Sequence, residues 1–102
     1  MIEVEYIVDG NKSLLTIIFN QSVMKHMNTK CDDNINFFQS THNAYMITLF
    51  KADTGYRIVR VPHRKKTYQI TVRHPIQNIN EFENKACTYY LKKNGFIRVA
   101  LK

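Results

Sequence analysis

The sequence predicts an α+β domain on a mainly antiparallel sheet, in the order ββ-α-βββ-α-β, with two helices packed on one face. Three observations lead there. Short apolar runs with strand character recur along the chain, Gly- or Pro-containing turns separate most of them, and two segments carry helix-cap signals. A chain of 102 residues has the length of one domain, so residues 1–102 read as a single compact unit. With 44% apolar and 23% charged residues, near the globular average, whole-chain disorder is excluded.

Taken in order, Ile2, Val4, Tyr6 and Val8 alternate with Glu3 and Glu5, the period-two pattern of a half-buried strand. Asp9-Gly10 follows, a dipeptide that tolerates positive φ and suits a tight hairpin. Residues 14–19 (Leu-Leu-Thr-Ile-Ile-Phe) are apolar on both faces, as a central strand would be. Asn20 is placed to cap a short helix reaching Lys30, which would bury Val23, Met24 and Met27. Residues 31–42 are rich in Asp, Asn, Ser and Thr and read as an irregular connection, pinned to the core by Ile35, Phe37 and Phe38. Three strand signals come next, at 44–51, 56–61 and 67–73, and their short intervening loops predict an antiparallel meander.

A second helix is predicted over 80–94. Asn80 with Glu83 forms a capping-box variant, Lys92 and Lys93 complement the last turn, and Asn94-Gly95 supplies a stop. Phe82, Ala86, Tyr89 and Tyr90 make its apolar stripe, flanked by Cys87 and Leu91. Residues 96–101 form a last strand.

The net charge of +7 becomes informative when divided. Residues 1–50 hold three Lys against five Asp/Glu, a net of −2; residues 51–102 hold twelve Lys/Arg against three, a net of +9. Such asymmetry points to an anionic partner, either nucleic acid (RNA or DNA) or an acidic protein surface. No membrane partner is expected, because neither predicted helix sets a broad apolar face against a basic one. The opening Met1–Glu5 lacks the basic and apolar regions of a signal peptide, so a cytoplasmic protein with Cys31 and Cys87 as free thiols is the expectation.

Strand parity locates the cations. Over 67–73, Tyr68, Ile70 and Val72 form an apolar face and Thr67, Gln69, Thr71 and Arg73 the opposite one. In the preceding strand Val59 and Val61 suit the apolar face, which assigns Tyr56, Ile58 and Arg60 to the other. The loop between them is His63-Arg64-Lys65-Lys66. Cationic donors suit phosphates, and hydrogen-bonding or stacking groups on a rigid sheet suit bases. The candidate nucleic-acid-binding residues are therefore Tyr56, Arg60, Arg64, Lys65, Lys66, Gln69 and Arg73. The helix–βββ–helix order over 20–94 is that of double-stranded-RNA-binding domains. But Glu81-Phe82-Glu83 stands where that domain opens its second helix with a basic cluster, so no family is assigned.

Catalytic patterns are sparse. The histidines are scattered, no CxxC, HxxxH or HExxH spacing occurs, and no glycine-rich phosphate loop is present. No metal, cofactor or catalytic residue is assigned. The sequence thus favours a non-catalytic nucleic-acid-binding module, of the kind a small regulator would use, carried by residues 56–74. One alternative is a protein-interaction or inhibitor module docking on an acidic partner. Its Ile-, Asn- and Lys-rich composition suits phages or mobile elements. A second alternative is a small metal-independent RNase, for which His63, Arg64, Lys66, Tyr68, Arg73 and His74 offer acid/base and phosphate-stabilising groups.

Overall fold

The computed structural model describes residues 1–79 and 82–101, with the side chains of 82–85 outside that description. The alternating N-terminal segment forms β1 (Ile2–Asp9), which turns through Gly10 at φ +61 into β2 (Lys12–Asn20). α1 (Gln21–Met27) follows directly. The Asn20 side chain caps it by accepting from the Val23 N–H at 3.3 Å, and Val23, Met24 and Met27 are buried as the pattern requires. The helix stops before Lys30 because Asn28 turns left-handed, at φ 57, and donates its N–H back to Lys25 and Met24.

The remaining elements are β3 (Asn34–Gln39), β4 (Met46–Ala52), β5 (Tyr56–Arg57), β6 (Val59–Arg60), β7 (Thr67–Val72), β8 (Phe82–Ala86), β9 (Thr88–Leu91) and β10 (Ile97–Ala100). They form two five-stranded sheets, β6-β7-β2-β1-β8 and β5-β3-β4-β10-β9, with every described pair antiparallel. Two strands change sheet. Residues 56–60 leave the second sheet for the first at Ile58, whose backbone bonds Asp32 and Asp33 at 2.9 Å each. Residues 82–91 change over at Cys87, whose N–H donates to the Ile2 carbonyl at 2.8 Å. The two sheets are thereby closed into a flattened barrel. Its interior is filled from both sides, by Val4, Ile17, Phe19 and Ile70 from one sheet and Ile35, Leu49, Ile97 and Val99 from the other. Each such apolar side chain contributes roughly 1.5–3 kcal/mol by leaving water.

The α+β class and the antiparallel pairing hold, but the second helix does not exist. Residues 82–91 are strands, and the one other helical feature among the described residues is a 3-10 turn at Lys93–Gly95. Thr88, Tyr89 and Tyr90 are β-branched or aromatic and pack better on a pleated surface than on a helix. Asn94-Gly95 does not stop a helix but closes a hairpin. Both residues take positive φ (63 and 80), and the Lys92 N–H donates to the Phe96 carbonyl at 2.8 Å. The expected cap Asn80 lies outside the described residues, as do the side chains of Phe82 and Glu83. Without that helix the likeness to the element order of double-stranded-RNA-binding domains is lost.

Three smaller corrections bear on the site. The expected irregular connection contains β3, in which Ile35 is buried while Phe38 faces outward. The expected meander is broken, because β4 and β5 flank β3 on opposite sides. To pass over the end of β3 the chain needs Gly55, at φ +146, where a Cβ would come within 2.6 Å of the Ile35 carbonyl oxygen. The parity of 56–60 is also inverted. Ile58 is fully buried and Val59 is exposed, since this strand turns at Ile58 and does not run straight along one sheet.

Candidate nucleic-acid interface

The basic loop owes its position to the β2–β7 register. Asn20 pairs with Thr67, so the start of α1 stands beside the end of the loop at 63–66. That loop is tightly wound, with His63 and Lys66 at φ 63 and 53. The Val61 N–H donates to the Thr67 carbonyl at 3.0 Å, and the Thr67 hydroxyl donates to the Lys65 carbonyl at 3.0 Å. Thr67 is buried as a consequence, although its parity suggested an outward position.

Around this loop lies a shallow cleft of about 270 Å³ bordered by Arg60, His63, Arg64, Lys65 and Lys66. Arg60 also borders a second cleft, of about 290 Å³, with Lys25, Lys30 and Cys31. Thr29 and Lys30 in turn border a third, of about 290 Å³, with Asp33 and Lys51. The cations of the loop therefore continue along the helix end of the barrel. Lys25 and Lys30, from the acidic half of the sequence, take part, and so does Lys51, whose Nζ donates to the Asn28 carbonyl at 3.2 Å. The signal for these lysines was pairing between residues 14–20 and 67–73, which no local pattern announces.

The predicted residues divide into two groups. Arg60, Arg64, Lys65 and Lys66 meet at the first cleft. Two of them are already engaged within the fold, since the Arg60 guanidinium lies over the Tyr68 ring at 5.8 Å and Arg64 pairs with Glu3 at 3.2 Å. Tyr56, Gln69 and Arg73 are elsewhere. Tyr56 stacks on Phe37 at 5.9 Å, and its hydroxyl approaches the His74 ring nitrogens, 3.2 Å from Nε2. Burial pushes that phenol above its usual pKa of 10.0, so it remains a neutral hydrogen-bonding group at ordinary pH. Gln69 sits on the outer face of the first sheet between Val59 and Ile18. Arg73 is exposed just past the far end of β7.

Sequence reasoning also missed an aromatic group. Phe38 (50% exposed), Phe96 (39%) and Tyr90 (47%) look outward from the second sheet, with Phe50 between the two phenylalanines. The sequence pattern places Phe38 in the core and Tyr90 on a helix stripe, and the fold turns both outward.

His63 and His74 do not converge. They flank opposite ends of the six-residue β7, which spans roughly 20 Å. Among the described residues no group of three or more His, Cys, Asp or Glu side chains could hold a metal ion. No described helix is long and apolar enough to cross a membrane. Comparison of the chain with protein-family models, with curated proteins and with solved structures returns no match.

Proposed function

We propose that this protein is a non-catalytic nucleic-acid-binding module that carries the phosphate backbone along the helix end of its barrel. One observation supports the reading above others. Three adjoining clefts share bordering residues, and Lys66, Lys65, Arg60, Lys25, Lys30 and Lys51 follow one another along them. A polyanion needs cations in such a sequence, whereas the interior of a specific protein interface is depleted in charge. The RNase alternative is less favoured, because His63 and His74 stand at opposite ends of β7.

The test is binding of labelled oligonucleotides over a range of salt concentrations. Affinity should fall steeply with salt, and each cation removed from the row should lower the log–log slope by about one. Lys65→Ala/Lys66→Ala and Lys25→Ala/Lys30→Ala should each weaken binding and flatten the slope. Unchanged affinity in both double variants would remove this row from the interface. No binding to single strands or duplex at low salt would remove the function.

A further inference from the structure

We infer that the outer face of the second sheet is a stacking platform for the unpaired bases of single-stranded nucleic acid, an inference that rests on the nucleic-acid reading above. Three phenylalanine rings cross adjacent strands there. Phe38 on β3 and Phe50 on β4 have centroids 6.0 Å apart, and Phe50 stacks on Phe96, just before β10, at 5.6 Å and 25°. Arg98 stands on the same face between Thr48 and Tyr90, and the Lys92 ammonium lies 5.7 Å from the Tyr90 ring.

Isolated exposed hydrophobic residues are ordinary on a protein surface. These rings instead touch one another on a face whose other register positions carry Asn, Thr, Ala, Met and Arg. None of the described residues that the register places on this face is Asp or Glu, and two, Arg57 and Arg98, are cations. The occupant that complements flat rings flanked by Arg57, Lys92 and Arg98 is flat and anionic. Single-stranded nucleic acid is both, because every base presents a π face once it leaves a helix and every linkage carries a charge. In a duplex those π faces are already stacked on each other, so the platform favours unpaired strands.

The experiment uses the full chain and two fluorescein-labelled probes, a twelve-nucleotide oligo-dT or oligo-U and a blunt duplex of the same length. Phe38→Ala/Phe96→Ala should bind the single strand about tenfold to hundredfold more weakly. Its duplex affinity and salt slope should not change, because no cation is lost. Phe38→Leu/Phe96→Leu keeps the patch apolar without flat rings and should lose as much; Phe38→Tyr/Phe96→Tyr should retain binding. A thermal melt of each variant identifies any that fails to fold, and the Tyr variant keeps the inference testable in that case.

Full single-strand affinity in the Ala or Leu variant would overturn the platform. If Lys65→Ala/Lys66→Ala still weakened binding in that event, the proposed function would stand alone. A wild type that ignores both probes would overturn both readings. A wild type that ignores them yet dimerises through Phe38 and Phe96 would assign the face to a second copy instead.

Discussion

The two outer faces of the barrel obey the same alternation and have opposite chemistry. On the first sheet, Glu3 and Glu5 of β1 stand beside Ile18 and Thr16 of β2, and these stand beside Gln69 and Thr71 of β7. The result is a mixed aliphatic and acidic surface. On the second sheet the corresponding positions hold Phe38, Phe50, Tyr90, Arg57 and Arg98, with no described carboxylate. The lesson concerns where the charge of a sheet face comes from. Alternation within a strand decides which residues face outward, but neighbouring strands decide what those residues stand beside. Gln69 and Thr71 looked like part of a basic platform when read with Arg73. In the fold they share their face with the glutamates of β1, one strand beyond their neighbour β2.

The largest effect should come from residues 56–60, which close the barrel and separate the two faces. Ile58→Ala should cost about 2–5 kcal/mol, since a fully buried side chain is removed at the sheet crossing. Val59→Ala, on the outer face, should stay within about 0.5 kcal/mol. Urea denaturation of the two variants checks this. Parity read from the sequence predicts the reverse order, so a costly Val59→Ala with a harmless Ile58→Ala would break the account of the fold.

The second contrast concerns binding. Arg98→Ala removes a cation beside the stacked rings and should weaken single-strand binding about threefold to tenfold. Gln69→Ala/Thr71→Ala alters the other face and should leave affinity within about twofold, because no phosphate contact is lost. Anisotropy titration of both in one buffer reads the difference directly. Equal losses would mean that the faces are not functionally distinct.

What was legible in the sequence follows from how local each cause is. The first hairpin, the Asn20 cap and the inward set Tyr68, Ile70 and Val72 depend on neighbours within a few residues, and all were readable. The loop cations Arg64, Lys65 and Lys66 were readable for the same reason. The segment at 80–94 was ambiguous, because spaced aromatics satisfy a helix stripe while Thr88-Tyr89-Tyr90 also satisfies a strand. Asn94-Gly95 ends helices and closes hairpins equally well, and only pairing of β9 with β10 decides between them. The course of residues 53–58 over the end of β3 is a tertiary fact. With it went the parity of Ile58 and the position of Tyr56, while the row that joins Lys25, Lys30 and Lys51 to the loop depends on the equally non-local pairing of β2 with β7.

The smallest effect tests how the acidic face touches the basic row. Among the described residues, Arg64 is the cation of the first cleft that the structure pairs with a carboxylate, Glu3, and both side chains remain partly exposed, at 45% and 26%. A pair in such a setting stabilises the fold by about 0–1 kcal/mol. Glu3→Gln should therefore leave the melting temperature nearly unchanged. It frees Arg64 for a phosphate and removes a negative charge from the rim of the cleft, so low-salt affinity for single strand and duplex alike should rise about twofold to fivefold. The gain should shrink as salt screens it, since the Debye length falls from about 10 Å at 0.1 M to about 3 Å at 1 M. Adding Arg64→Ala to Glu3→Gln should cancel most of it. If the double variant kept the full gain, Glu3 would be acting as a general repulsive charge and not through Arg64. The acidic face would then reach the phosphate row by field alone.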